Sequence, residues 1–106
     1  RLSAEVIAEQ IPVISGAADY ANEFLLTAAG QRNRNHVGPY VEFEHVPFAM
    51  EEVLFDPQTS GGLLIAAAPD QAERLLVELR EAGLPASAVG TLTEKKEKEI
   101  YVRGQR

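Results

Sequence analysis

The chain has 106 residues, 45% of them hydrophobic and 25% charged, which is the make-up of one folded domain with a single core. A formal net charge of −6, with 10 Lys and Arg against 16 Asp and Glu, argues against a nucleic-acid partner, because a phosphate backbone is held by clustered cations. No apolar run approaches the roughly 18 residues of a membrane span, and the lack of cysteine excludes disulfides, thiolate metal sites and a cysteine nucleophile within these residues.

In chain order, Ala4 to Ile14 carries two β-branched pairs, Val6-Ile7 and Val13-Ile14, separated by Glu9 and Pro12, and reads as a strand leading into an extended segment. Ser15 stands as an N-cap before Ala17, Ala21, Phe24, Leu25 and Ala28, whose spacing predicts an amphipathic helix from Gly16 to Ala29, ended by Gly30. The polar stretch from Gln31 to Tyr40, punctuated by Gly38-Pro39, reads as a loop, and the alternation from Tyr40 to Glu44 as a short strand.

Leu63 to Ala68 is a continuous apolar run opened by glycines and closed by Pro69, the pattern of a strand buried on both faces at the centre of a sheet. Ala72, Leu75, Leu76 and Leu79 then make the stripe of a helix, with Asp70 and Glu73 as its capping signature and Gly83 and Pro85 marking its end. That stripe is expected to be core. Ser87 to Thr93 and Glu99 to Arg103 are expected to form a C-terminal hairpin across the charged turn around "EKKEKE". The sum is an α+β domain, a mixed β-sheet with helices packed on one face. Arg1 in place of an initiator Met suggests a piece of something longer.

The most specific stretch is Asp56-Pro57-Gln58-Thr59-Ser60-Gly61-Gly62. Asp56 and the hydroxyls of Thr59 or Ser60 can bond nearby backbone N–H groups, Pro57 fixes φ, and the glycine pair allows close backbone approach. Successive N–H groups in such a turn form a concavity suited to an anion. The stretch is not a P-loop, since its glycines precede a strand-like run and no Gly-Lys-Ser/Thr follows. On local physics alone, a turn that merely shapes a sheet edge or a domain contact is the favoured reading.

Other single residues carry less. His36 and His45 lack the tight spacing of a metal pair. Arg32, Asn33, Arg34 and Asn35 are either a solvated loop or a contribution to a phosphate-bearing cleft, for which arginine forks are suited. Asp56 before a proline is better explained by a turn than by magnesium, and Ser60 has no base to make it a nucleophile.

The string "LFDPQTSGGLLIAAAP" closely resembles the signature of the selenophosphate synthetase (selenide, water dikinase) family, in the superfamily that includes aminoimidazole ribonucleotide synthetase. The resemblance covers nearly the whole chain: "QRNRNHVGPYVEF" is similar to that family's Arg/Asn-rich segment, and the last helix and strands to its closing elements. It departs at Ala28-Ala29-Gly30, where the family commonly has Gly-Gly-Thr, so no role of that threonine carries over.

The resemblance implies that residues 1–106 are the C-terminal domain of a longer synthetase, with an aminoimidazole ribonucleotide synthetase C-terminal-domain-like fold. It implies that the whole enzyme, using ATP and Mg²⁺ in the cytoplasm, makes selenophosphate, AMP and phosphate from ATP, selenide and water. Its catalytic lysine, its Cys or selenocysteine and its metal-binding aspartates all lie in an N-terminal catalytic domain. That domain is the expected partner, with a homodimer for the whole enzyme. This chain alone is then expected to be inactive, with no catalytic residue or metal ligand of its own and no firmly bound cofactor. Asn33, Thr59, Ser60, Gly61 and Gly62 become the candidate cofactor-binding residues, offering N–H and hydroxyl donors to phosphate or to the partner domain. Two alternatives stand beside this: a purely structural buttress, and the same domain of a related synthetase or kinase with another substrate.

Overall fold

The structure, a computed structural model, describes residues 2–17, 19, 28–57 and 62–104. Its elements are β1 (Leu2–Ile7), a 3-10 turn (Ala8–Gln10), α1 (Ala28–Val37), a second 3-10 turn (Gly38–Tyr40), β2 (Val41–Glu44), α2 (Phe48–Phe55), α3 (Pro69–Glu81), β3 (Gly90–Glu94) and β4 (Ile100–Arg103). The strands form one mixed sheet in the order β2-β4-β1-β3, the α+β class expected from the element pattern.

Two strand expectations are corrected by this order. β3 and β4 do not form a hairpin, because β1 lies between them, antiparallel to β3 and parallel to β4. β2 then adds parallel to β4 on the other side. Strands lie about 4.8 Å apart, so two strands flanking a third must be joined across nearly 10 Å. Residues 95–99 cover that span, and the charged connection therefore arches over the start of β1 rather than turning tightly.

Ser3 fastens this arch. Its side chain is buried, its hydroxyl donates to the Lys98 carbonyl at 2.7 Å and it accepts from the Lys96 N–H at 2.8 Å. At the other end of the β1–β3 pair, a Cβ on Gly90 would lie 1.9 Å from the Glu5 carbonyl oxygen, so only glycine fits this approach of the two strands.

The run from Leu63 to Ala68 is not a central strand. It is irregular and exposed, with Leu63 at 90% and Leu64 at 85% of full exposure. The centre of the sheet is taken instead by β1 and β4, and a continuous apolar run has no periodicity of its own to distinguish a buried strand from any other apolar segment.

The expectation of a loop from Gln31 to Tyr40 is also corrected. α1 runs through Gly30 without stopping and ends at Val37, where Gly38-Pro39 opens the second 3-10 turn. Gly30 is buried within the helix and does not end it. Most of the helix expected from Gly16 to Ala29 lies outside the described residues.

α3 forms where periodicity placed it, but its start and packing differ. Ala68 is the N-cap, with no side-chain cap bond, and Pro69 opens the first turn. Asp70 therefore acts on the helix dipole from the first turn rather than as a cap. The end is a Schellman motif: Gly83 has φ +82°, its N–H donates to Arg80 O at 3.0 Å, and the Leu84 N–H donates to Leu79 O at 3.1 Å. Leu75, Leu76 and Leu79 are half-buried rather than enclosed as core.

The enclosed core lies elsewhere, in Ala8, Ala49, Phe55, Tyr101 and Val102. Phe55 of α2 meets Phe43 of β2 edge-on, with ring centroids 5.7 Å apart, which seats α2 against the β2 side of the sheet.

A charged cluster crosses the ends of the parallel strands. Arg103 bonds Glu5 at 3.1 Å and Glu44 as well, bridging β1, β4 and β2, while Lys96 lies 3.5 Å from Glu5. The Arg103 hydrogen bond first, and the charge of Lys96 second, hold the Glu5 carboxyl below its ordinary range. A depressed folded-state pKa contributes stability that is present above the unfolded carboxylate pKa and is lost as pH falls through the folded value. A Glu5→Gln variant is therefore expected to unfold more readily than the parent near neutral pH. The gap should close as the pH drops below about 4, the usual glutamate range, in urea titrations of both proteins. An equal gap at both ends of that range would remove Glu5 from the pH response.

Candidate functional site

The candidate loop is rooted at the end of α2. Helix α2 stops at Phe55, and the Asp56 N–H closes the last turn onto Val53 O at 3.2 Å. Asp56 and Pro57 leave in extended conformation, and the chain is described again from Gly62, which is exposed with open space around its Cα. Thr59, Ser60 and Gly61 lie outside the described residues.

Asn33 meets this root directly. Its Nδ2 donates to the Phe55 carbonyl at 2.7 Å, satisfying a helix-end carbonyl that α2 cannot pair internally. The polar segment of α1 and the DPQTSGG segment, 22 residues apart along the chain at this contact, are thus joined by one bond. Asn33 therefore supports the loop's entry through Nδ2.

Arg34, one residue on, does not face a cleft. It forms ion pairs with Glu51 at 2.9 Å and Glu52 at 2.5 Å, and its guanidinium lies between the rings of Phe48 and Phe55, 5.0 and 4.8 Å from their centroids. Its fork is consumed inside the domain, which corrects its reading as a phosphate ligand. Arg32 and Asn35 are exposed on the same helix.

The Glu52 side chain is 2% exposed, and its second oxygen accepts from Gln31 Nε2 at 2.7 Å. Arg34 Nε and Nη2 and Glu52 Oε1 are buried without an aligned hydrogen bond, so the Arg34–Glu52 attraction is mainly Coulombic. A buried carboxylate survives only when paired, and here it has one cation and one amide.

The sequence reading missed this half of the site. Phe48, Glu51, Glu52 and Phe55 lie in "FAMEEVLF", which is apolar on nearly every side and so shows no amphipathic contrast. The available signal was Pro47, which stands at the N-cap, followed by Ala49, Glu52 and Phe55 at three-residue spacing, all buried.

His45 sits at the end of β2 with φ 57°, its Nε2 3.7 Å from Glu44. Among the described residues no three His, Asp or Glu side chains converge as a metal site would require. A separate depression of about 430 Å³, lined by Glu5, Val6, Ile7, Ala88, Gly90, Thr91 and Arg103, shares no residue with the loop.

The sequence profile of the family described as "AIR synthase related protein, C-terminal domain" matches residues 1–103. The chain belongs to that family.

Among relatives of this AIR synthase related domain, a protein of Agathobacter rectalis named "Selenide, water dikinase" is 59% identical over 93 residues, covering 87% of this chain. Proteins of the same name are 43% identical in Desulfitobacterium hafniense, over 88% of this chain, and 37% identical in Treponema denticola, over 95% of it. The chain spans 27% of the length of the first two relatives and 30% of the third. The Asn33–Phe55 bond and the loop root lie inside the matched residues.

Proposed function

We propose that this domain is the C-terminal part of a selenide, water dikinase, an enzyme that converts ATP, selenide and water into selenophosphate, AMP and orthophosphate. The observation that carries the proposal is the match to relatives of that name over most of the chain, up to 59% identity. In this reading the chemistry belongs to an N-terminal catalytic domain of the same protein, and this chain alone forms no AMP from ATP and selenide. In this reading the ligands of Mg²⁺ also belong to that other domain. A homodimer and a cytoplasmic setting belong to the same proposal.

The domain's own contribution is a wall of the ATP-facing cleft. Thr59, Ser60, Gly61 and Gly62 present backbone N–H and hydroxyl donors toward phosphate, and Asn33 fixes the loop's root through the Phe55 carbonyl. These groups orient and neutralise charge; none moves a proton.

Titrating the chain with ATP and Mg²⁺ while following backbone amide NMR shifts tests this role. Saturable shifts at Thr59 to Gly62 and Asn33, with Leu75 to Leu79 unmoved, are the expected result. Fixed amides in a folded sample would favour a second reading, in which the domain is a buttress for the catalytic half. The exposed apolar run at Leu63 and Leu64 supports that reading, since such a surface calls for a cover.

A further inference from the structure

We propose that this domain associates with a second copy of itself by reciprocal exchange, residues 63–67 of one copy lying along the outer edge of β3 in the other. The contact is made within this domain and does not depend on the ATP-facing role proposed above.

Residues 63–67 read Leu-Leu-Ile-Ala-Ala. The segment is irregular and every one of its residues is exposed. Among the described residues, none of its backbone groups has a hydrogen-bond partner. Such a run gains twice by joining a sheet edge, once through its apolar side chains and once through its backbone.

β3 offers an edge of that kind. β1 occupies one side of it, and the strand order leaves its other side open among the described residues. Proteins guard such edges with proline, lysine or a bulge. β3, Gly-Thr-Leu-Thr-Glu, has neither proline nor lysine, and its register with β1 runs unbroken from Gly90 to Glu94. Leu92 at its centre is 55% exposed.

Run and edge match in length and in character. With their centres aligned, Ile65 lies beside Leu92 whichever way the run points, and Ile65 is itself 53% exposed. Each then covers the other. The run carries no charge and β3 only Glu94, so no like charges are opposed.

Helix α3 determines which copy's edge is used. Pro69 opens its first turn, and the Ala72 N–H closes onto Ala68 O at 2.8 Å, so the run's junction with the helix is fixed. In that setting the run stands off the β3 edge of its own chain. A second copy related by a two-fold axis brings its β3 to the run, and the same rotation brings its run to the first copy's β3. The exchange therefore closes at two copies.

The chain has no cysteine, so introduced thiols report one contact without background. Single variants I65C and L92C are purified separately with tags of different mass, mixed, oxidised and resolved by mass. The mixed disulfide of I65C with L92C is expected at about tenfold over either self-linked product, because the contact holds those two thiols at high effective concentration. By sedimentation the parent chain is expected at twice the monomer mass. I65D, changed at an exposed side chain, is expected as a monomer with the parent's circular dichroism.

A folded parent that stays monomeric overturns the inference and leaves the run to the catalytic half of the enzyme. A dimer whose mixed disulfide does not exceed the self-linked products overturns it as well, since the copies then meet elsewhere. So does a disulfide closed within one chain of the double variant I65C/L92C, which would put the run on its own β3.

Discussion

Phe55→Ala lowers the free energy of unfolding by about 3–5 kcal/mol, the usual cost of emptying a buried aromatic site. Phe55 is buried, contacts Phe43 of the sheet edge-on and carries one face of the Arg34 sandwich. Truncation therefore removes the contact between α2 and the sheet and half of the aromatic clasp on a guanidinium whose partner Glu52 is almost fully enclosed. Phe55→Leu, which keeps most of the volume, should cost about 1–1.5 kcal/mol. Urea midpoints of the two variants check the difference. Similar small losses for both would mean that α2 is held by the ion pairs and not by its ring.

The second large effect is at Ser3. Ser3→Ala strips the Lys98 carbonyl and the Lys96 N–H of their shared partner and is expected to cost about 2–3 kcal/mol, since unpaired buried polar groups carry their full desolvation penalty. The side chain is small, so lost apolar burial contributes little and the loss reports on hydrogen bonding. The slope of unfolding against urea should stay unchanged, with only the midpoint falling. A loss below about 0.5 kcal/mol, the range of an ordinary surface substitution, would show that the arch over β1 is held by its backbone course alone.

These two positions differ in how far they could be read from the sequence. α3 and the places of the four strands were visible because periodicity and punctuation act locally, although the apolar run at Leu63 to Ala68 was wrongly added to the sheet. Strand order was not visible. A hairpin and a pair of strands split by a third look alike when the intervening strand is contributed from 90 residues upstream, as Ser3 is for Thr93. The candidate site was legible in part for the same reason. "DPQTSGG" announced itself through turn chemistry, and Asn33 through its likeness to a known segment, but the bond from Asn33 to Phe55 depends on α1 continuing through a glycine and on α2 forming from a stretch with little amphipathic contrast. Arg34 read as part of either a solvated loop or a phosphate-bearing cleft, because its neighbours in sequence are polar. Its Phe48 and Phe55 partners, contributed by α2, put it between two rings instead.

The split arrangement also bears on how the domain is made. β4 is the strand that joins β1 to β2, and both of those strands precede it by at least 56 residues along the chain. During synthesis they emerge with open edges and wait for residues 100–103 before either can be paired through β4. The sheet therefore closes late, once β4 enters between β1 and β2, and its assembly is dominated by long loop closures, the regime in which folding is slow. The Glu- and Lys-rich arch at 95–99 is the last segment to arrive before that closure.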